Sequence, residues 1–418
     1  MIRRKYFVVS IAVLTFAAGG AALSQQASPP IARYTIDAGT TSGMAAMSQG
    51  GSANVLAMMR GGGGGQAAHE LHLHLGSSRD PSGAAEGDHF MPTGAGLGTS
   101  VPLTTPVTVS SPKQAPGEMP QGQMPKGRLL LYWGCGEHAG PGQPVVIDFS
   151  KLAQGQIPPG LYMQGTDLPE AWSVTRQNSK TFGEWPNTKD SRAIPANSSL
   201  LGPHTIKSSY APDINFTLAD DFMPPLNARS SDMASGAINL AWDALPKATG
   251  YYAWAIGANM DSSGQSRDMV WWTSATKQQF GGSLADWLSP AAVSRLIAAG
   301  TVLDPSRTSC AIPAEVRQAA QMPMIQLYAY GPQADFAYPP RPTDSKLAWK
   351  PDWIARVRFR ASTTVMHGMP AMGGFSAQED GSGTDGEGSS SQAPSTPVLP
   401  PCPKGLKGMA MRAAKLCY

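Results

Sequence analysis

The alternation of apolar and polar positions is cleanest between Ala237 and Thr273. Ile238, Leu240 and Trp242 alternate with Asn239 and Ala241, the period-two pattern of a strand with one face on a core. Asp243 to Thr249 contains Pro246 and runs into Gly250, so it reads as a turn. Tyr251 to Ile256 resumes the pattern, with Tyr252, Trp254 and Ile256 on one face and Tyr251, Ala253 and Ala255 on the other. Asp261 to Gly264 supplies a second turn, and Met269 to Thr273 a third strand. The stretch predicts three consecutive antiparallel strands at the centre of a β-sandwich.

Around it, Arg128 to Trp133 and Pro144 to Phe149 read as two strands flanking a Gly-rich turn, and Trp172 to Arg176 as a weaker third. Thr181 to Tyr210, studded with Pro, Asn and Ser, reads as loop, and Asn215 to Leu218 as a strand. An insertion at about 283–320 carries helical signals. Ser289 suits a cap and Pro290 the first helical position, Val293, Leu296 and Ile297 share a face, and Gly300 stops the run. Pro313 to Ala320 is a second, shorter helix candidate, and Met324 to Tyr330 and Trp353 to Phe359 are the last strands.

Leu240, Trp242, Pro246, Ala248, Gly250, Tyr251 and Tyr252 form a strand closed by Trp, a Pro-containing turn, and an aromatic strand opened by Gly-Tyr. This local pattern resembles the hairpin between the second and third strands of a fibronectin type III domain. The resemblance covers residues 237–273 and implies a β-sandwich. It implies no particular activity, because such sandwiches serve many roles.

Composition sets the boundaries. Arg3, Arg4 and Lys5 precede an apolar run from Tyr6 to Ala18 and then small residues, so 1–24 reads as an export signal. Left uncleaved, it would be a membrane anchor. Residues 25–126 are rich in Gly, Pro and Met and hold only two aromatics, Tyr34 and Phe90, which predicts a disordered arm. All ten Trp of the 418-residue chain fall between Trp133 and Trp353. The folded region is therefore expected as an N-terminal β unit at 127–212 and a fibronectin III-like sandwich at 213–365, or as one larger all-β domain. Residues 366–418 read as a disordered tail that ends in Lys404, Lys407, Arg412 and Lys415. The formal charge of +3 is nearly balanced and no nucleic-acid module is recognisable; membrane contact is expected only through the signal or the basic end.

Four Cys in an oxidising compartment allow three pairings of two disulfides, of which Cys135–Cys310 with Cys402–Cys417 is the expected one. The competing reading makes Cys135 a reactive thiol beside His138 and the protein a Cys-dependent hydrolase. His69, His72 and His74 in one cluster, and Met366, His367 and Met369 in another, have the donor types for copper or zinc. Asp220 and Asp221 are adjacent and would point opposite ways from a strand, no G-x-S-x-G elbow occurs, and Gly61 to Gly65 lacks the strand and Lys-Ser/Thr of a phosphate loop. Nothing nominates an enzyme.

The aromatics offer the other route. Trp271 and Trp272 leave opposite faces of one strand, as do Tyr251 and Tyr252, so one of each pair faces away from a single core. An outward aromatic can stack on a sugar or anchor a protein. The sequence therefore predicts a periplasmic or secreted, non-enzymatic binding or scaffold module of the cell envelope. It would recognise a glycan or protein partner through Tyr251, Trp254, Trp271 or Trp272. A periplasmic copper- or zinc-binding protein and the Cys-dependent hydrolase are the alternatives.

Overall fold

The computed structural model describes residues 28–49, 67–106, 127–153, 173–260, 266–279, 283–320, 322–344 and 347–368. The export segment, the Gly61 to Gly65 run, Trp172, the turn Asp261 to Gly264, and Met369, Cys402, Cys417 and the basic end lie outside the described residues.

The protein is mainly β. The strands are β1 (Ala32–Gly43), β2 (Ala68–Ser77), β3 (Gly87–Phe90), β4 (Ser100–Pro102), β5 (Arg128–Trp133), β6 (Val145–Asp148), β7 (Thr181–Trp185), β8 (Gly202–Ser208), β9 (Ile214–Leu218), β10 (Ala228–Asp232), β11 (Ile238–Trp242), β12 (Gly250–Met260), β13 (Ser266–Thr273), β14 (Ser309–Ile312), β15 (Met324–Tyr338) and β16 (Trp353–Met366). Among the described residues four short α-helices accompany them: α1 (Met44–Gln49), α2 (Phe149–Ala153), α3 (Pro290–Ala298) and α4 (Ala314–Ala319).

Nine strands form one sheet in the order β6-β5-β13-β12-β15-β16-β1-β2-β7. Its neighbours are antiparallel except β1 beside β16 and β5 beside β13, which are parallel. Two smaller sheets, β10-β11-β14 and β4-β3-β8-β9, lie on its inner face. Alternation dictates which residues those sheets meet. Tyr34, Ile36 and Ala38 of β1, Leu71, Leu73 and Leu75 of β2, Val357 and Phe359 of β16, and Tyr251, Ala253 and Ala255 of β12 point inward into one continuous core. The three-stranded sheet adds Ile238, Leu240, Trp242 and Ile312, and the four-stranded sheet adds Ile206, Ile214 and Phe216. β15 and β16, 15 and 14 residues long, run under both smaller sheets and join the two halves. A register shift between Tyr330 and Gln333 falls along β15.

Several expectations are met. β5 and β6 pair antiparallel, β9 lies where Asn215 to Leu218 was read, and Ser289 Oγ caps α3 by accepting from Ala292 N–H at 3.2 Å. The insertion carries both expected helices, with β14 between them. Cys135 and Cys310 form a disulfide with an S–S distance of 2.04 Å. It holds the Gly-rich loop after β5 against β14, where Gly136 N–H donates to Ala311 O at 2.9 Å.

Other expectations are corrected. The part of 25–126 that the structure describes is not a disordered arm: β1 and β2 are interior strands of the large sheet. Ala-Arg-Tyr-Thr-Ile-Asp (32–37) and His-Glu-Leu-His-Leu-His-Leu (69–75) alternate as strictly as Ala237 to Thr273, and the core they need lies elsewhere in the chain. The described residues of 127–212 make no sheet of their own. They supply β5 and β6 to one edge of the large sheet, β7 to the other, and β8 to the four-stranded sheet. Thr181 to Tyr210, read as loop, contains β7 and β8, whereas 173–176 is not a strand. β11 and β12 do not pair as a hairpin: Asp243 to Thr249 carries the chain from the three-stranded to the nine-stranded sheet, and Thr249 N–H donates to Tyr330 O at 2.7 Å.

A buried polar chain joins the large sheet to the four-stranded one. His204 Nε2 lies 2.7 Å from Leu200 O, which can only accept, so that nitrogen carries the proton. His204 Nδ1 then accepts from His89 Nε2 at 2.9 Å, and His89 Nδ1 accepts from the Tyr34 hydroxyl at 2.7 Å. Every polar atom of the chain is satisfied only while both rings are neutral. Burial, reinforced by His204, pushes the pKa of His89 well below its ordinary value, and burial lowers that of His204 despite the Leu200 carbonyl.

A pH dependence follows. The unfolded chain binds protons at these histidines near pH 6.5, while the folded protein resists them until lower pH. Folding stability is therefore present above the unfolded pKa and is lost as pH falls through it. Each ring contributes a slope of at most about 1.4 kcal/mol per pH unit. Burial lowers His69 and His74 in the same direction. Urea denaturation should give an unfolding free energy that falls between pH 7.5 and 5, with a shallower fall in His89→Gln. A flat profile across that window would contradict the assignment.

Candidate binding site

The outer face of the large sheet is polar where β15, β16, β1, β2 and β7 lie side by side. Its chemistry follows from register. One row across the strands reads Asp335, Arg356, Thr35, His74, Glu184; the next reads Gln333, Arg358, Asp37, His72; a third reads Tyr330, Arg360, Gly39, Glu70. Arg356, Arg358 and Arg360 alternate with Val357 and Phe359, so the residues that build the core also fix three guanidinium groups on the opposite face.

Each of the three Arg has an acidic partner on a neighbouring or next strand. Arg356 Nε is 2.7 Å from Asp335. Arg358 grips Asp37 with both Nε and Nη2, at 2.7 and 2.8 Å, and gives Nη1 to the Trp287 carbonyl at 2.7 Å. The side chains of this pair are only 15% and 7% exposed. Arg360 Nη2 reaches Glu70 at 2.7 Å across β1. The residue between them is Gly39, and a Cβ there would sit 2.3 Å from Glu70 Oε1, so the crossing needs a glycine at that position.

The insertion that holds α3 closes one side of this face. Trp287 Nε1 donates to Ala38 O at 3.1 Å, and its ring lies 3.8 Å from the Arg360 guanidinium and 5.3 Å, edge-on, from His72. Between this wall and residues 173–177 opens a pocket of about 460 Å³. Thr35, Asp37, His72, His74, Glu184 and Arg358 line it from the sheet, Asp286 and Trp287 from the insertion, and Arg176 from the far side. His74 is stacked on Phe182 with centroids 5.8 Å apart, and burial lowers its pKa even though Asp37 opposes the shift. Burial raises the Glu184 carboxyl, with Arg176 opposing. The pocket thus presents two imidazoles and two carboxylates beside a guanidinium–carboxylate pair.

The sequence-predicted residues fall in different places. His72 and His74 reach this pocket together. His69 does not: it points inward, stacks on Phe222 at 4.0 Å, and donates from Nε2 to Ala196 O at 3.1 Å. Met366 ends β16, and His367 is buried between Ser230 and Asp232, 3.1 Å from each. The three His of the first expected metal cluster are therefore divided, and Met369 of the second lies outside the described residues. Among the described residues no group of three or more His, Cys, Asp or Glu is arranged to hold a metal ion.

The aromatic face is also divided. Tyr251 and Trp272 are fully buried in the core, where Trp272 Nε1 donates to Gly134 O at 2.9 Å and the Tyr251 hydroxyl accepts from Leu245 N–H at 2.9 Å. Both leave the list of ligand contacts. Trp254 and Trp271 are on the outer face, stacked on each other at 4.7 Å and 7° and half-buried. Tyr252 beside them is covered by Val293 and Leu296 of α3. Cys135, held in its disulfide, supplies no thiolate, and His138 turns instead to Glu315 at 3.2 Å, so the competing Cys-His reading is not met.

Asp37, Glu184, Arg358, Asp286 and Trp287 were missed. For the sheet residues a signal existed in the alternations at 32–37 and 356–360. For Asp286 and Trp287 none did, because their place depends on how the insertion folds back. No family profile, curated protein or solved structure matches the chain.

Breaking the Asp37–Arg358 pair from one side should be costly, because it leaves a buried charge without its partner. Asp37→Ala is expected to destabilise the fold by about 3–5 kcal/mol, and Asp37→Leu with Arg358→Met by clearly less. Urea midpoints of the three proteins decide this. Equal losses in the single and double variants would show that packing, not charge, accounts for the cost.

Proposed function

We propose that this chain is an exported binding module of the cell envelope, that its ligand is a glycan, and that a saccharide unit is read, without chemistry at this site, in the pocket over β16, β1, β2 and β7. The observation that carries the reading is the convergence of His72, His74, Glu184 and Asp286 on one open pocket. Its fixed charges nearly cancel, since Asp37, Glu184 and Asp286 face Arg176 and Arg358. Such a site offers many donors and acceptors at little net charge. It suits a neutral polyhydroxylated ligand better than a phosphate or a strongly charged peptide. The basic segment before the apolar run at the N-terminus supports export, and the Cys135–Cys310 disulfide fits an oxidising compartment.

The half built from β10 to β16 is, in this reading, fibronectin type III-like. Three strands, β10-β11-β14, face four, β13-β12-β15-β16, and the chain crosses between the layers at 243–249. The helical insertion and the strands added at both edges of the four-stranded layer are then elaborations that build the pocket.

The test is co-sedimentation of the full-length protein with purified cell wall and insoluble polysaccharides, followed by titration with the soluble saccharides released from whichever binds. Glu184→Gln with Asp286→Asn should weaken binding about tenfold or more, the cost of removing two hydrogen-bonding charges. Trp271→Ala, on the outer face but outside the pocket, should bind as the parent does. Absence of saccharide binding by folded protein, or loss in Trp271→Ala alone, would reject the pocket as the glycan site.

A further inference from the structure

A second constellation lies away from the pocket, where the end of β16 meets the edge strand β10. Ser230 and Asp232 are two residues apart on β10 and so project from the same face. The ring of His367 sits between them. Its Nδ1 is 3.1 Å from Ser230 Oγ and its Nε2 is 3.1 Å from Asp232 Oδ1. His367 is 5% exposed, Ser230 is half-buried, and the Asp232 side chain is open to solvent. Arg317 of α4 is the other charged group at the site, 2.9 Å from the same Asp232 oxygen.

The carboxylate accepts, so Nε2 carries the imidazole proton and Nδ1 is left as the acceptor for the Ser230 hydroxyl. That is the order of donors and acceptors by which a carboxylate orients an imidazole and the imidazole activates a serine. A second feature serves the same chemistry. Met233 N–H donates to Ala237 O, and Asp243 N–H to Asn227 O. Hydrogen-bonded and non-bonded pairs alternate in an antiparallel ladder, so the N–H of Ser230 is turned to the outer edge of β10, away from β11. β10 has a partner in its sheet on one side only. The Ser230 N–H is thus placed to donate to an oxyanion formed at its own Oγ.

We propose that Ser230, His367 and Asp232 form a serine acyl-hydrolase site acting on small carboxylic esters. Ser230 Oγ bonds to the ester carbonyl carbon while its proton passes to His367 Nδ1. The tetrahedral adduct then expels the alcohol, which takes that proton, and leaves an acyl-serine. Water adds in the same way, giving its proton to Nδ1, and the carboxylic acid leaves as Ser230 Oγ recovers the proton. Ser230 and His367 are the catalytic residues, and Asp232 is a positioning residue. The site is independent of the glycan pocket.

Full-length protein treated with a fluorophosphonate and read by intact mass and peptide mapping tests this. Ser230 Oγ should displace fluoride and gain one phosphonyl group, and Ser230→Ala should gain none. His367→Gln, checked for a native unfolding midpoint, should react more slowly by about a hundredfold, the usual worth of a general base. Asp232→Asn should label more slowly than the parent at an unchanged unfolding midpoint, and Asp232→Glu should recover much of that rate, because a carboxylate again orients the ring. A purely structural His367 would give neither change. Absence of a phosphonyl group on Ser230 in the folded parent would overturn the proposal whatever the variants do, as would labelling of folded His367→Gln at the parent rate.

Discussion

The rest of the structure depends on the alternation along β16. Val357, Phe359 and Ala361 bury one side of the strand under the smaller sheets, and this burial fixes Arg356, Arg358 and Arg360 on the other side. A shift of one residue would put three guanidinium groups into the core, which no available partner could offset. The strand therefore has one register, and β1 inherits it through twelve parallel pairs that set Asp37 beside Arg358. The ion pair follows from the packing on the far side of the sheet.

Alternation of this kind was legible in some elements and hidden in others. Ala237 to Thr273, β5, β6, α3 and α4 were readable because each carries its own local pattern, whether period-two alternation, a Ser-Pro cap or a stop at Gly300. The strands in 28–106 carried an equally clear pattern and were still missed. Composition was weighed over a window of about a hundred residues in which Tyr34 and Phe90 are the only aromatics, and the Gly and Pro between the strands diluted the signal. Burial, however, is decided by the partner and not by the window. Leu71, Leu73 and Leu75 share one core with the four-stranded sheet, whose β8 and β9 composition assigned to other units. The hairpin reading of β11 and β12 failed for a related reason, because a short turn between two alternating strands fits a hairpin and a crossing between layers equally well.

At the candidate site, His72 and His74 were legible as residue types but not in the grouping the fold makes. His69, His72 and His74 are neighbours along the chain, yet a strand sends one of them inward and two outward. Of the aromatics, each adjacent pair splits as expected, but outward Tyr252 packs with α3 and outward Trp271 stacks on Trp254. What assembles the pocket is long-range. Asp37 and Arg358 are brought together by parallel pairing of the first and last strands, and Trp287 arrives from the insertion. No window of sequence contains all three.

The two polar sites differ in what burial does to them. At the pocket, the ion pairs of Arg358 and Arg360 satisfy the sheet itself and leave His72, His74 and Glu184 at the wall, where burial favours the neutral forms of His74 and Glu184. At the end of β16, His367 is held by Ser230 and Asp232 on both ring nitrogens, so its tautomer is fixed by the strand beside it. Both arrangements rest on the long strands that the two halves of the molecule share. Because β16 is pinned by the inward burial of Val357 and Phe359, the strand side of each site is fixed by packing, and the non-strand residues Asp286, Trp287 and 173–177 close the pocket over it.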